Sequence, residues 1–180
     1  MHSVMTLRNA MLGSVVALST LVALPQAAPA ADAVAHLRDT SGVNVGQVTL
    51  TQTPHGTLLE LDLHGFLVGT HAFHVHETGK CIPPFTSAGG HFNPDNAGHG
   101  IMDDDGMHAG DMPNITVPPA ESDAALGDLS QEVLNTRLEL NDQLFDDDGA
   151  AIVIHGGADD YRTNPAGAAG ARIACGVIER

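Results

Sequence analysis

The sequence contains little positive charge. Seven lysine and arginine residues stand against 22 aspartate and glutamate residues, and the formal net charge at pH 7 is −15. A chain with this charge repels nucleic acid and anionic membrane surfaces, so neither is an expected partner. An anionic substrate would be repelled as well, unless positive charge is concentrated at the site that binds it.

The sequence also lacks sustained helical periodicity, internal repeats and any linker that would separate two domains. Short runs of alternating apolar residues recur instead, separated by Gly, Pro, Asn and Asp, at residues 45–51, 59–63, 72–76, 114–117, 137–140, 151–154 and 172–178. Such runs predict an all-β sandwich or barrel. Two long segments, 77–110 and 156–171, interrupt them, and long loops in a compact domain are usually functional or disordered.

Cysteine is scarce, since only Cys81 and Cys175 occur. In an oxidising compartment these two have a single intramolecular pairing available. That bond would restrict the unfolded chain by about 4–5 kcal/mol in the entropic model. The alternative, which a cytosolic location would favour, is two buried free thiols.

Residues 1–30 have the composition of an export signal. Arg8 is the only charge before an apolar run at 10–24, and Pro25 and small residues at 27–31 follow. This order is typical of a secretory signal peptide, and the run is shorter than the roughly 20 apolar residues of a membrane span. We expect cleavage after Ala30, which leaves residues 31–180 as one domain. A retained N-terminal anchor is the alternative.

Histidines of metal-ligand type occur in three places. His74 and His76 are two residues apart in a predicted strand, so their side chains share one face. His91, His99, His108 and Asp111 follow within 21 residues among many glycines, and three imidazoles with one carboxylate suit tetrahedral zinc. His155 ends a predicted strand. Taken singly, each has a plainer interpretation: a solvated histidine pair, a hydrated loop that binds metal loosely, and an exposed histidine.

Four segments resemble those of the copper/zinc superoxide dismutases, in the same order along the chain. They are HVHE at 74–77, GHFNP at 90–94, HAGD at 108–111 and GARIACGVI at 170–178. The resemblance covers residues 33–180. It implies an eight-stranded Greek-key β-barrel, which is a flattened sandwich, with two long functional loops.

The resemblance also implies a role for each matching residue. The implied copper ligands are His74, His76, His91 and His155. The implied zinc ligands are His91, His99, His108 and Asp111, so His91 bridges one copper ion and one zinc ion per subunit. Asp159 matches a carboxylate that links the copper ligand His74 to the zinc ligand His99. Arg172 matches the arginine that positions superoxide, and Cys81 and Cys175 match the family's disulfide.

The implied function is conversion of superoxide to dioxygen and hydrogen peroxide by cycling between Cu(II) and Cu(I), which would protect the cell envelope. Cys81 lies five residues beyond His76, as in bacterial periplasmic forms, and this agrees with the predicted signal peptide. We therefore expect a periplasmic enzyme that no longer contacts the membrane after cleavage. The sequence leaves both a monomer and a homodimer open.

Two other functions stay open on the residues alone. A periplasmic protein for metal storage or delivery could use the same barrel, although neither a copper ligand nor the arginine is missing here. A structural or adhesion β-sandwich would require no convergence of seven ligand-type side chains.

Overall fold

The computed structural model describes residue 1 and residues 31–121 and 124–180. The predicted signal peptide therefore lies almost wholly outside the described residues. Nine β-strands occur within the described ranges: β1 (Ala33–Asp39), β2 (Asn44–Thr53), β3 (Gly56–Leu67), β4 (Gly69–His71), β5 (Phe73–His76), β6 (Ile115–Val117), β7 (Leu126–Asn135), β8 (Ala151–His155) and β9 (Arg172–Glu179). One 3-10 turn spans Thr86–Ala88. The all-β prediction is confirmed.

All strand pairs are antiparallel. Seven strands form one curled sheet in the order β5-β8-β9-β1-β2-β3-β7, and β4 pairs with β6. Only Ala72 separates β4 from β5, so the two together are one bent strand, and the described barrel then has the eight strands that were predicted. Because β3 pairs with β7 and β5 pairs with β8, the chain crosses between non-consecutive strands, as in a Greek key.

Strand alternation builds the core. On β3, Leu59, Leu61 and Leu63 are buried, whereas Glu60 and Asp62 between them are exposed. Successive side chains of a strand point to opposite faces, so this pattern lines one side of the sheet with leucine. Aliphatic side chains from the other strands complete a single large core.

The predicted strand at 137–140 is wrong, because this segment is a loop. The side chain of Asn135 accepts hydrogen bonds from the backbone N–H groups of Arg137 and Leu138 at 2.8 and 2.9 Å, which turns the chain out of β7. Leu138 is then fully buried in the core. The apolar alternation here reflects side chains that enter the core from a loop.

The two long loops cover one face of the sheet. The described chain has no strand between β5 and β6 and none between β8 and β9. The disulfide Cys81–Cys175 joins the first loop to β9, with Cα atoms 5.6 Å apart. The alternative of two free thiols is therefore excluded. Among the described residues, no helix has the length and apolarity needed to cross a membrane.

Candidate metal centre

Strand β5 presents two histidines to the loops and two apolar side chains to the core. Phe73 and Val75 lie in the main core, whereas His74 and His76 face the opposite side, and all four are fully buried. On the neighbouring strand, Val153 is directly opposite His74, and His155 follows on the same face. The pairing of β5 with β8 therefore places the imidazoles of His74, His76 and His155 close together beneath the loops.

His91 completes this group from the first loop. It forms an isolated antiparallel bridge with His76, which brings its ring to 4.0 Å from that of His74. These four histidines form the first group: His74, His76, His91 and His155. One ring nitrogen from each lies within 4.8 Å of the others. Among the described residues, four buried ring nitrogens have no hydrogen-bond partner: His74 Nδ1, His76 Nε2, His91 Nε2 and His155 Nε2.

The other nitrogen of His91 belongs to a second group, which His91 forms with His99, His108 and Asp111. His91 Nδ1 is 2.7 Å from Asp111 Oδ1, and the Nδ1 atoms of His99 and His108 are each 3.1 Å from the same oxygen. Asp111 Oδ2 accepts hydrogen bonds from the backbone N–H groups of Gly100 and His108 at 2.9 and 3.1 Å. These contacts fold the loop tightly around the carboxylate.

Asp159 connects the two groups. His74 Nε2 donates to Asp159 Oδ2 at 2.8 Å, and His99 Nε2 donates to Asp159 Oδ1 at 3.1 Å. These bonds leave His74 Nδ1 and His99 Nδ1 pointing into the first and second groups respectively. A carboxylate in this position determines the tautomer and orientation of both rings.

Arg172 lies at the start of β9 and is half-buried. Its two Nη atoms donate to the carbonyl oxygens of Phe85 and Gly89, both at 2.7 Å. His76 Nδ1 donates to the same Gly89 carbonyl at 3.1 Å, so the guanidinium and one histidine of the first group share an anchor. Burial lowers the pKa of Arg172, but a guanidinium keeps its charge at physiological pH.

Burial keeps His76, His91 and His155 of the first group neutral. Loss of solvation is the largest cause that lowers the pKa of His76 to about 2, of His155 to about 3 and of His91 to about 4. Burial also opposes protonation of His99, but the carboxylates of Asp111 and Asp159 outweigh it and raise the pKa of His99 to about 9. Neutral imidazoles are the form in which histidine binds a metal.

The donor sets fit two metal ions of different character. Four imidazole nitrogens suit copper, and three imidazoles with one carboxylate suit zinc. A buried polar atom without a partner is costly, so the four orphaned nitrogens of the first group are explained by an ion that they would ligate. The convergence of seven ligand-type residues also excludes the purely structural β-sandwich.

The structure brings together every site residue that the sequence predicted, and it adds residues that the sequence did not reveal. Asn114 and Tyr161 both contact Asp159, and neither has a ligand-type side chain or a diagnostic spacing. His71, which belongs to neither group, is also buried. Its Nδ1 and Nε2 lie 2.9 Å from the carbonyl oxygens of His155 and Leu67.

Comparison with known proteins agrees with this geometry. The family described as "Copper/zinc superoxide dismutase (SODC)" matches residues 44–178. The chain is 45% identical over 144 residues to "Superoxide dismutase [Cu-Zn] 1" of Aquifex aeolicus, covering 77% of this chain and 82% of that protein. It is 42% identical over 145 residues to "Superoxide dismutase [Cu-Zn]" of Caulobacter vibrioides, covering 77% and 80%.

This chain belongs to the copper/zinc superoxide dismutases. Solved structures agree with the assignment. The Cu/Zn superoxide dismutase from Brucella abortus superposes with a TM-score of 0.68 at 29% identity, covering 82% of this chain and all of that chain. A SOD-like protein from Bacillus subtilis superposes with a TM-score of 0.72 at 36% identity, covering 80% and 96%.

As a copper/zinc superoxide dismutase, the protein is an oxidoreductase that uses copper and zinc. Its substrate is superoxide, which it converts to dioxygen and hydrogen peroxide. The family assignment agrees with the two buried histidine groups, which supply a ligand set for each metal.

Proposed function

We propose that superoxide is dismutated at a copper ion held by His74, His76, His91 and His155. Zinc is held by His91, His99, His108 and Asp111. The single observation that carries this assignment is the position of the His91 ring. Its Nε2 is an orphaned buried nitrogen in the first group, while its Nδ1 lies 2.7 Å from Asp111 in the second. One imidazole thus belongs to both ligand sets.

Each ring has a defined task in this proposal. Copper, when bound, supplies the one-electron chemistry, since zinc is not redox-active. His91 Nε2 is the atom that can accept and return a proton during turnover, because its Nδ1 stays engaged with the zinc group. Asp159 holds His74 Nε2 and His99 Nε2 on its two oxygens, so both rings keep the opposite nitrogen for a metal.

Arg172 is the proposed binding group for the superoxide anion. The carbonyls of Phe85 and Gly89 anchor its two Nη atoms, and the guanidinium keeps further N–H donors for a small anion. Its permanent positive charge attracts superoxide into a site on an otherwise strongly acidic protein.

Substitution of one copper ligand tests this assignment. His155→Ala removes a ligand of the copper group alone, so we expect loss of copper and of at least about 99% of the activity, with zinc retained. The matched control is His64→Ala, which removes an exposed histidine that belongs to neither group. The measurements are copper and zinc content per chain and the rate of superoxide consumption.

Two results would contradict the proposal. Full activity in His155→Ala would show that this histidine does not hold the catalytic ion. A wild-type protein that binds both metals yet consumes no superoxide would instead support metal storage or delivery.

We further propose that residues 1–30 are a cleaved signal peptide and that residues 31–180 act in the periplasm, where they protect the cell envelope. Strand β1 begins at Ala33, three residues after the predicted cleavage site, so cleavage leaves the barrel intact. Removal of residues 1–30 takes away only Arg8 among charged residues, and six basic against 22 acidic residues leave a net charge of −16. This charge disfavours nucleic acid and membrane as partners.

The export proposal is tested on the protein made in its own cells. We expect the N-terminal residue of the purified protein to be Ala31 and the activity to leave with the periplasmic fraction. A protein that retains residues 1–30 and sediments with membranes would instead have an N-terminal anchor.

A further inference from the structure

Asp159 is held by its backbone as well as by its carboxylate. The side chain of Asn114 accepts a hydrogen bond from the Asp159 backbone N–H at 2.8 Å and donates one to the Asp159 carbonyl at 2.9 Å. Because Asn114 directly precedes β6, this pair of bonds ties Asp159 to the barrel. Two bonds from one planar amide leave the Asp159 backbone little freedom to rotate.

Tyr161 connects the same assembly to the first loop. Its backbone N–H donates to Asp159 Oδ1 at 2.6 Å, and its hydroxyl accepts a hydrogen bond from the backbone N–H of Asn114 at 2.7 Å. Its carbonyl accepts a hydrogen bond from the backbone N–H of Met102 at 3.2 Å. A single residue therefore contacts the linking carboxylate, the residue that clamps it and the loop that carries His99.

The backbone of Tyr161 is held in an uncommon conformation. Its φ of 62° lies in the left-handed region, which residues other than glycine seldom adopt. Such a conformation persists when surrounding contacts determine it. On the facing loop, a Cβ at Gly100 would overlap the Tyr161 carbonyl, and the Gly100 N–H binds Asp111 Oδ2 at 2.9 Å. Gly100 thus links the two residues, because it packs against the Tyr161 carbonyl and donates a hydrogen bond to Asp111.

We propose that Tyr161 is a positioning residue that couples closure of the zinc loop to the orientation of the Asp159 carboxylate. With the loop closed around zinc, Tyr161 holds Asp159 Oδ1 against His99 and thereby Asp159 Oδ2 against His74. The Tyr161 hydroxyl contributes through Asn114: it accepts the Asn114 backbone N–H, and the Asn114 side chain holds the Asp159 backbone, so zinc retention and the orientation of the copper ligands should both respond to its loss. This inference rests on the proposed ligand assignment.

The first test is Tyr161→Phe, which keeps the ring and removes the hydroxyl. We expect zinc affinity, measured by competition with a chelator, to fall about fivefold to tenfold, since a net hydrogen bond is worth about that factor. The control is Thr57→Val, which removes a buried hydroxyl that donates to the Leu138 carbonyl and contacts none of Asn114, Asp159 and Tyr161. Thr57→Val should lower the unfolding temperature with zinc affinity unchanged.

A double-mutant cycle separates positioning from general stabilisation. If Tyr161 acts through Asp159, Tyr161→Phe should have no further effect on zinc affinity in an Asp159→Ala background. The Cu(II) EPR spectrum gives a second readout: Tyr161→Phe should broaden or shift it toward that of Asp159→Ala, whereas Thr57→Val should leave it unchanged.

Tyrosine emission provides a direct probe in the wild type. The chain contains one tyrosine and no tryptophan, so its ultraviolet fluorescence reports on Tyr161 alone. Removal of zinc from the holoenzyme should change the intensity of this emission, and return of zinc alone should restore it.

The outcomes distinguish this proposal from the ligand assignment on which it rests. Unchanged zinc affinity in Tyr161→Phe, equal losses in Tyr161→Phe and Thr57→Val, or additive effects with Asp159→Ala would overturn the positioning role. If Asp111→Ala also kept full zinc affinity, the ligand assignment itself would be wrong.

Discussion

At the scale of single residues, a glycine is as necessary to the proposed site as its ligands. Gly167 has φ of +63°, and a Cβ there would overlap Asp159 Oδ1 and come within 2.8 Å of His99 Nε2. Its carbonyl accepts a hydrogen bond from the Asp160 N–H at 2.9 Å, which keeps the backbone over the carboxylate. Only a residue without a side chain allows Asp159 to reach both histidines.

We expect Gly167→Ala to weaken zinc binding by about tenfold to 100-fold, the usual effect of disturbing a partner of a metal ligand. The matched control is Gly65→Ala, which has a similar φ of +57° but no atom within 4 Å of its Cβ. Both substitutions place a side chain on a backbone in the left-handed region, which is strained in each case. Only Gly167→Ala also displaces Asp159. Chelator competition checks the difference, and equal zinc affinities in the two variants would contradict it.

Arg172 combines a positive charge with two directed hydrogen bonds. Arg172→Lys keeps the positive charge but cannot donate in parallel to the carbonyls of Phe85 and Gly89. We expect the rate of superoxide consumption to fall about tenfold, which corresponds to one charged hydrogen bond of about 1.5 kcal/mol. Copper and zinc contents should stay at the wild-type level. A variant with normal activity would show that charge alone is sufficient.

At the scale of elements, the proposed site depends on how the first loop is fastened to β9. The disulfide Cys81–Cys175 spans 94 residues, and Cys175 lies three positions after Arg172. Between Cys81 and His91 the loop supplies Phe85 and Gly89, whose carbonyls hold the guanidinium. The disulfide therefore restrains both sides of the proposed anion-binding group.

Replacement of both cysteines by serine should lower the free energy of unfolding by about 4–5 kcal/mol, because the bond closes a long loop in the unfolded chain. Urea unfolding of the metal-loaded proteins measures this change. Reductant should lower the stability of the wild type and leave the double serine variant unaffected. Equal stability of the two proteins without reductant would show that the bond contributes little.

At the scale of the whole molecule, the buried histidines make the stability of the metal-free protein depend on pH. Burial lowers the pKa of His76, His91 and His155 from 6.5 to between about 2 and 4. The unfolded chain then binds protons first, so stability decreases as pH falls below 6.5. His99 affects stability in the opposite direction, because its pKa is raised to about 9 in the folded protein. Its contribution to the free energy of unfolding is therefore lost as pH rises from 6.5 through 9.

We therefore expect the metal-free protein to be most stable near pH 6.5. On the acid side, each histidine with a lowered pKa reduces the free energy of unfolding by up to about 1.4 kcal/mol per pH unit. Three histidines act there and one acts on the alkaline side, so stability should decrease more steeply on the acid side. The lowered pKa values of Asp111 and Asp159 add to the loss in stronger acid. Urea midpoints between pH 4 and 9 measure the profile, and a flat profile would contradict it.

Bound metals should change this profile. Because ligands must be deprotonated to bind, copper and zinc compete with protons for the same nitrogens. The metal-loaded protein should keep its urea midpoint down to a lower pH than the metal-free protein. Coincident profiles would show that the ions do not occupy these histidines.

Sequence alone was enough to predict the strand periodicity, the shared face of His74 and His76, and the ligand chemistry of the candidate site. These properties are local, since they depend on a two-residue repeat and on the side chains that a segment carries. Even so, β1 and β7 were not predicted, and residues 137–140 were assigned to a strand because a loop that enters the core can also alternate.

The folded chain was needed to show which nitrogen of His91 faces which group, and that paired strands bring His155 beside His74. It also revealed Asn114, Tyr161 and Gly167, whose importance depends on contacts with Asp159. The contacts between Asn114 and Asp159 join residues that are far apart along the chain. Hydrogen bonds between residues 45 positions apart form only after strand pairing has brought the loops together, so no local pattern records them.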